Sequence, residues 1–195
     1  MILPDNFIKH YVEIYDMIAP FEPKAVREAD GKRVMSYGLG HFGYDIRMVP
    51  ELRILGAGDN QDSKLTIIDP KNPPTVESLT LCNTNEDGAL ILPGYTSALT
   101  SSKEYFKIPE HVLGICLGKS SYARCGLIVN VTPLEPGWEG NLTIELTNTN
   151  HCPVLVYPDG GIAQLVFIKG SVPTLNYKSK GGKYQGQQGI TGAKL

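Results

Sequence analysis

The chain has 195 residues, of which 42% are hydrophobic and 19% charged, and its formal net charge is −2. This size and composition fit one globular domain over residues 1–195, and the small net charge excludes the broad basic surface typical of nucleic-acid-binding proteins. No apolar run approaches the roughly 18 residues of a membrane span and no secretory signal pattern opens the chain, so we expect a cytoplasmic protein with no membrane partner.

The N-terminal region predicts one amphipathic helix. Pro4 and Asp5 are suited to its first turn. The apolar residues that follow recur at the spacing of a single helical face, and they are Phe7, Ile8, Tyr11, Val12 and Tyr15. We expect this face to cover the domain rather than to recognise a partner, and Pro20 and Pro23 to end the helix.

Residues 36–47 read SYGLGHFGYDIR, and their glycines indicate tight bends or close approach of the backbone to a neighbour. Asp45 is a poor strand residue between Tyr44 and Ile46. Two interpretations remain open for it. It is either a structural carboxylate paired with Arg47 or another neighbour, or a ligand contact.

The middle of the chain predicts short strands separated by turns. The expected strands are Leu52–Leu55, Leu65–Ile68, Ser78–Leu81, Ala89–Leu92 and Val112–Leu117, the last preceded by a short helical turn at residues 108–111. No period of 20–50 residues repeats, which excludes a solenoid or a propeller. Regularly spaced strands with one helix indicate a closed or sandwiched β fold.

A polar turn, Gly118–Arg124, lies between two apolar runs. The hydroxyls of Ser120 and Ser121, the backbone N–H groups and the Arg124 guanidinium would suit the oxygens of a phosphate. The turn alone is a weak signal, because it lacks the upstream glycine of a phosphate-binding loop and is not followed by a long helix.

Alternation is clear in the strand that follows. Leu142, Ile144 and Leu146 share one face, whereas Thr143, Glu145 and Thr147 share the other. If the aliphatic face belongs to the core, Glu145 points either into solvent or into a cleft. Further on, Gln164 interrupts an otherwise buried-type strand at 161–168, as either a hydrogen-bond centre of the core or a ligand contact.

The C-terminal segment, residues 177–192, contains many glycines and almost no apolar side chains. Such a composition predicts a disordered tail or a mobile flap over about residues 178–195. Lys178, Lys180 and Lys183 make it locally basic, which suits closure over an anion.

Four segments together resemble the dCTP deaminases, which are relatives of the trimeric dUTPases. They are GKSSYARCGLIVNVTPLEPGWEG (118–140) with the strand carrying Glu145, SYG…FGYDIR (36–47), GxxQ (161–164) and GGKYQGQQG (181–189). The resemblance implies a mainly β, distorted jelly-roll barrel of the dUTPase type, with an N-terminal helix and a Gly-rich C-terminal flap. It also implies a homotrimer with nucleotide sites between subunits, and hydrolysis of dCTP to dUTP and ammonia with Mg²⁺ on the triphosphate.

Site residues follow from the same resemblance, position by position. Glu145 matches the general acid and base, and Ser120 and Arg124 match the residues that support the reacting water. The remaining matches to nucleotide contacts are Lys119, Ser121, Tyr122, Ala123, Thr143, Ile144, Gln164, Tyr177, Lys183 and Gln187. The small-molecule partners that the resemblance implies are dCTP and dUTP, and dTTP is a candidate feedback inhibitor.

The chain departs from this pattern at Glu135, which stands before Pro-Gly where many relatives have an aspartate. In dUTPases and bifunctional relatives that aspartate helps to activate the water that attacks phosphorus. We therefore expect deamination without dephosphorylation, with a bifunctional deaminase–diphosphatase, a dUTPase and a non-catalytic nucleotide-binding regulator as alternatives. The zinc deaminase signature, H-x-E with P-C-x-x-C, does not occur, so we expect no zinc.

Overall fold

The computed structural model describes residues 1–55, 68–158 and 160–195. Its helices are α1 (Asp5–Tyr15) and the one-turn α2 (Ser120–Ala123), with a 3₁₀ turn at Val76–Ser78. The strands are β1 (Ile18–Ala19), β2 (Val26–Ala29), β3 (Lys32–Leu39), β4 (Tyr44–Arg47), β5 (Arg53–Leu55), β6 (Thr80–Leu81), β7 (Leu90–Leu92), β8 (Ser97–Lys107), β9 (Val112–Gly118), β10 (Leu127–Asn130), β11 (Glu139–Asn148), β12 (Val154–Val156) and β13 (Gly161–Lys169).

The predicted helix is confirmed as α1, although it ends earlier than expected. Asp16 adopts a left-handed conformation that stops it several residues before Pro20. Its inner face buries Ile8 and Tyr11, and the Tyr11 hydroxyl lies 3.0 Å from Nε2 of His111. Within the described ranges, neither helix is long and apolar enough to cross a lipid bilayer.

Antiparallel pairing organises the strands into three sheets. One contains β10, β11, β8, β5 and β6 in that order, with β1 added against β8; the second runs β2-β3-β4-β13-β9; and β12 pairs with β7. The mainly β fold is therefore confirmed. Among the described residues, the ladders form separate sheets and do not close into one hydrogen-bonded barrel.

Most predicted strands exist, with shifted ends. The segments expected at 52–55, 78–81, 89–92, 112–117 and 161–168 correspond to β5, β6, β7, β9 and β13. The strand expected at Leu65–Ile68 falls on 65–67, outside the described residues, and Ile68 is not in a strand. The helical turn expected at residues 108–111 is a simple turn closed by a 3.0 Å bond from the Val112 N–H to the Pro109 carbonyl.

The core contains an unusually polar stretch of the longest strand, β8. Thr100, Ser101, Ser102 and Glu104 are all fully buried. The Glu104 carboxylate accepts hydrogen bonds from Nε of Arg47 at 2.9 Å and from the Arg47 backbone N–H at 3.0 Å. The ion pair between Arg47 on β4 and Glu104 on β8 therefore joins the two large sheets. The Arg47 guanidinium also lies 4.5 Å over the ring of Tyr37.

Replacing Glu104 with alanine is expected to lower the free energy of unfolding by about 3–5 kcal/mol, because Arg47 would stay largely buried without its carboxylate. The matched control is Asp16→Asn, which breaks the exposed 3.3 Å pair with Lys107 and still tolerates the left-handed conformation of residue 16. That change should cost less than about 1 kcal/mol. Urea denaturation at one fixed protein concentration compares the two variants, and equal losses would contradict the role given to the buried pair.

Candidate active site

The site is built around β11, which lies between β8 and β10 in the large sheet. Leu142, Ile144 and Leu146 of β11 are buried in the core, as the alternation predicts. Glu145 therefore projects from the opposite face, where its ladder neighbours are Asn130 on β10 and Leu99 on β8. The strand directs this carboxylate away from the core while its neighbours still shield it.

Glu145 lies in an environment that disfavours its charged form. Its Oε2 atom is buried and makes no hydrogen bond with any part of the chain that the structure describes. Burial raises the pKa of this carboxyl to about 7, against a smaller opposing effect from its own backbone N–H. A carboxyl group with this pKa exchanges protons readily near neutral pH.

Glu145 lines a cavity of about 410 Å³, a size within the usual range for small-molecule sites. One wall is apolar and includes Leu55, Pro70, Leu79 and Leu99. Five residues expected at the site line this same cavity: Glu135, Thr143, Glu145, Tyr177 and Gln187. Of these, Glu135 is exposed, at the rim of the cavity.

The C-terminal tail crosses the cavity and docks on the first residues of β11. β10 does not pair with this part of the strand. Gly140 and Gln187 form a parallel bridge, and the Asn141 N–H donates to the Gln187 carbonyl at 3.0 Å. Gly140 has φ near 152°, and a Cβ atom there would lie 2.9 Å from the Gln187 carbonyl oxygen and 3.0 Å from the Trp138 ring. Glycine therefore permits this close approach.

Two aromatic residues hold the tail against the body. Nε1 of Trp138, which is buried, donates to the Tyr184 carbonyl at 3.0 Å, and the Tyr184 N–H donates to the Tyr177 hydroxyl at 3.1 Å. The Lys183 ammonium donates to the Lys194 carbonyl at 2.5 Å, while the Lys194 N–H donates to the Tyr184 hydroxyl at 3.1 Å. Lys194, near the end of the chain, thus holds Tyr184 and Lys183 by hydrogen bonds. We call this arrangement the C-terminal clasp.

The polar turn forms α2 and lies apart from the Glu145 cavity. Ser120, Ser121, Ala123 and Arg124 are exposed, and Nη1 of Arg124 donates to the Ser120 carbonyl at 3.2 Å. The Tyr122 side chain is instead buried in the core, where its hydroxyl accepts the Tyr157 N–H at 3.0 Å. None of the residues 119–124 lines the cavity.

Lys119 links the polar turn to the segment 36–47. Its ammonium donates to Oδ2 of Asp45 at 2.5 Å and to Oγ of Ser36 at 3.0 Å, and both charged side chains are largely shielded. Asp45 thus pairs with a neighbour, which is Lys119, while Arg47 pairs with Glu104. Gln164, the ladder partner of Asp45, is half-buried and its amide makes no side-chain hydrogen bond within the described residues.

Within one chain, the polar turn and Glu145 do not line a common cavity among the described residues. Leu127 pairs with Asn148 next to the turn, whereas Glu145 pairs with Asn130 three positions further along the ladder. At about 3.3 Å per strand residue, this offset is about 10 Å. The Ile144 side chain lies in the core, so only its backbone could reach a ligand.

Residues 2–170 match the family described as dCTP deaminase-like. The chain belongs to the dCTP deaminase-like family. It is 46% identical over 191 residues to a dCTP deaminase of Polaromonas sp. and equally to one of Neisseria meningitidis serogroup C, with 97% of each chain covered. A dCTP deaminase of Coxiella burnetii is 44% identical over the same length.

A solved structure has a similar fold. The structure of the 2′-deoxycytidine 5′-triphosphate deaminase of Agrobacterium tumefaciens aligns with a TM-score of 0.60 at 16% identity. The alignment covers 87% of this chain and 48% of that one, so this chain spans about half of its length.

The family resemblance assigned no role to some of the residues that line the cavity. Trp138, Tyr184 and Thr191 all line it, and Thr191 donates its N–H to Oγ1 of Thr143 at 3.1 Å. Trp138 is the single tryptophan of the chain and lies next to a Pro-Gly turn, which was the one available signal. In the described residues, no group of three or more His, Cys, Asp and Glu side chains is placed to hold a metal ion.

Replacing Glu145 with glutamine is expected to stabilise the fold at pH 8 more than at pH 5. The folded state holds the Glu145 proton more tightly than the unfolded chain, so the contribution of Glu145 to wild-type stability falls as pH rises from about 4.5 through about 7. Glutamine removes this penalty, which should amount to about 1–2 kcal/mol after allowing for partial exposure. Urea denaturation at both pH values measures the difference, and a pH-independent effect would contradict the assignment of the proton to Glu145.

Proposed function

We propose that this protein hydrolyses dCTP to dUTP and ammonia, with Glu145 as the group that moves protons. The observation that carries the proposal is the half-buried Glu145, whose Oε2 makes no hydrogen bond within the described residues, in a cavity of about 410 Å³. Support also comes from the near full-length relatives that are named dCTP deaminases.

The reaction needs three proton transfers that one carboxylate can perform in turn. Glu145 takes a proton from water as the oxygen attacks C4 of cytosine, and it then delivers a proton to N3. The second water proton leaves with the amino group, so that cytosine and water become uracil and ammonia. Because the pKa of Glu145 is about 7, the group can accept and return protons within one turnover.

The triphosphate requires cationic donors, and no lysine or arginine among the described residues lines the Glu145 cavity. The exposed turn of Ser120, Ser121 and Arg124 has this chemistry. We propose a homotrimer in which the turn of one subunit faces the Glu145 cavity of the next. The exposed apolar side chains of Leu117 and Ile128, on the strands flanking α2, are consistent with contact between subunits.

Magnesium would be held by the triphosphate oxygens rather than by a cluster of protein carboxylates. Its role would be to neutralise phosphate charge, while Ser120, Ser121 and Arg124 orient the same oxygens. The tail would close over the bound nucleotide, with Tyr177 and Gln187 at the cavity. Binding of dTTP at the same site would make it a feedback inhibitor.

The position of Glu135 favours one alternative function, a deaminase that also hydrolyses dUTP. Glu135 lies at the rim of the Glu145 cavity. A second carboxylate there could orient water toward the α-phosphate and convert dUTP to dUMP. Glu135 is longer than the aspartate that this reaction uses in relatives, and a misplacement of about 1 Å can cost roughly a hundredfold in rate. We therefore expect dUTP to accumulate.

A time course with dCTP and Mg²⁺, resolved by ion-exchange chromatography, tests the reaction. The expected result is dUTP and ammonia at equal rates in chelator-treated protein resupplied with Mg²⁺ alone. Equal release of dUMP and pyrophosphate would favour the bifunctional enzyme, and binding without turnover would favour a regulator. Activity that returns only with zinc would contradict the proposed mechanism.

The Glu145→Gln variant should lose roughly 10²–10⁴-fold in kcat while it still binds dCTP, because the amide keeps the shape but cannot transfer protons. Turnover within tenfold of wild type would contradict the assignment of Glu145. Equilibrium binding of dCTP distinguishes loss of chemistry from loss of the site.

If each active site combines the polar turn of one subunit with Glu145 of another, two inactive variants should complement each other in mixed trimers. Glu145→Gln retains the polar turn, and Arg124→Ala retains the carboxylate. Random trimers from an equal mixture, unfolded and refolded together, should regain about a quarter of wild-type activity, since one site in four combines an intact half from each variant. Each variant refolded alone is the control. No recovery in the mixture, with trimers confirmed by light scattering, would place both halves in one subunit.

A further inference from the structure

The polar turn is fastened to the body of the protein at two points. Tyr122 is buried, and its hydroxyl accepts the Tyr157 N–H at 3.0 Å. At the start of the turn, the Lys119 ammonium donates to Oδ2 of Asp45 at 2.5 Å and to Oγ of Ser36 at 3.0 Å. The exposed residues of the turn begin directly after Lys119, so their position depends on this first anchor.

The Lys119 side chain reaches across a whole strand to make this anchor. Lys119 directly follows β9, whereas Asp45 lies on β4, and β13 runs between the two strands. At about 4.8 Å between neighbouring strands, β9 and β4 are roughly 10 Å apart, a distance that an extended lysine and a carboxylate span together. Only 11% of the Lys119 side chain is exposed. The ammonium therefore lies against the sheet and not free in solvent.

The ion pair also neutralises the charge of Lys119. Asp45 is shielded too, with 19% of its side chain exposed, and Arg47, its other possible partner on β4, is already paired with Glu104 at 2.9 Å. A neutral pair attracts a phosphate much less than a free ammonium does. Arg124, which is exposed and makes no ion pair within the described residues, is then the cation that the turn presents outward.

The close approach of Ser36 to this pair requires glycine at the start of β13. A Cβ atom on Gly161 would lie 2.1 Å from the Ser36 carbonyl oxygen and 3.5 Å from Cβ of Asp45. Any side chain at this position would push Ser36 away from the sheet. The segment 36–47, the polar turn and the first residue of β13 therefore meet at one ion pair, although they are far apart in sequence.

We propose that Asp45 is a positioning residue for the triphosphate. With Ser36 it holds Lys119, and through Lys119 it fixes where the polar turn presents its hydroxyls and Arg124. Lys119 is then an anchor of the turn, whereas the family resemblance matches it to a direct nucleotide contact. The inference rests on the proposed binding of dCTP by this turn.

The two roles of Lys119 predict different effects when the carboxylate is removed. If Lys119 is an anchor, Asp45→Asn loosens the turn, and the Kd for dCTP should rise about tenfold, as expected for the loss of one charged hydrogen bond. If Lys119 instead bound phosphate directly, Asp45→Asn would release its full charge. A Kd that falls, or that stays within twofold of wild type, would overturn the inference. Calorimetric titration of the complete chain with dCTP and Mg²⁺ measures the Kd.

Lys119→Met breaks the same ion pair from the other side. For an anchor, this variant, Asp45→Asn and the double variant should have the same Kd within threefold, because each loses one shared interaction. Lys119→Arg, which keeps a cation that can donate to the carboxylate, should stay within threefold of wild type. A Kd for Lys119→Met more than threefold above that of Asp45→Asn would make Lys119 a phosphate ligand and overturn its role as an anchor.

The matched control is Glu104→Gln, which removes the carboxylate of the other ion pair on β4 and leaves the polar turn untouched. Its Kd should stay within twofold of wild type at a temperature at which circular dichroism shows every variant to be folded. A rise equal to that of Asp45→Asn would reduce the effect to general loosening of the sheet and overturn the positioning role. Ammonia release by wild-type protein tests the deaminase separately. Its absence would refute the reaction, while the Kd values still decide the role of Asp45.

Discussion

The arrangement of the site depends on partial desolvation of one strand face. Core packing occupies the inner face of β11, and its ladder partners β8 and β10 occupy both edges around Glu145. The outer face is then covered by the tail and by the apolar wall of the cavity, and no described residue of opposite charge pairs with Glu145 there. A carboxylate in such a position keeps its proton to a higher pH, which is the property that proton transfer requires.

The alternation of apolar and polar residues was sufficient to predict a strand wherever its apolar side chains are also the ones buried in the core. The alternation of Leu142, Ile144 and Leu146 predicted the core face of β11, and it predicted that Glu145 points away from the core, into solvent or a cleft. The sequence pattern did not predict the long strand β8, because its residues Thr100–Ser102 and Glu104 are polar although they are buried. Their partners are distant in sequence: Oγ1 of Thr100 donates to the Glu51 carbonyl, and Glu104 pairs with Arg47. Single-sequence patterns carry no information about such partners.

The layout of the site was less predictable than its residues. The polar turn and Glu145 are close in sequence, but the register of β10 against β11 places them at different positions of one hairpin. Composition indicated a tail that cannot form a core, and the tail indeed adds no strand. It is instead held by hydrogen bonds to Trp138, Asn141 and Thr143, which glycine content alone does not reveal.

The clasp at the C-terminus has a practical consequence for expression and engineering. Lys194 bonds through its N–H to the Tyr184 hydroxyl and through its carbonyl to Lys183, within the segment that covers the cavity. An affinity tag or fused reporter attached after Leu195 would emerge close to the Glu145 cavity, which Ala193 lines. The Met1 ammonium donates instead to the Lys169 carbonyl at the end of β13, and Met1 is absent from the lining of the cavity. The N-terminus is accordingly the better place for a fusion.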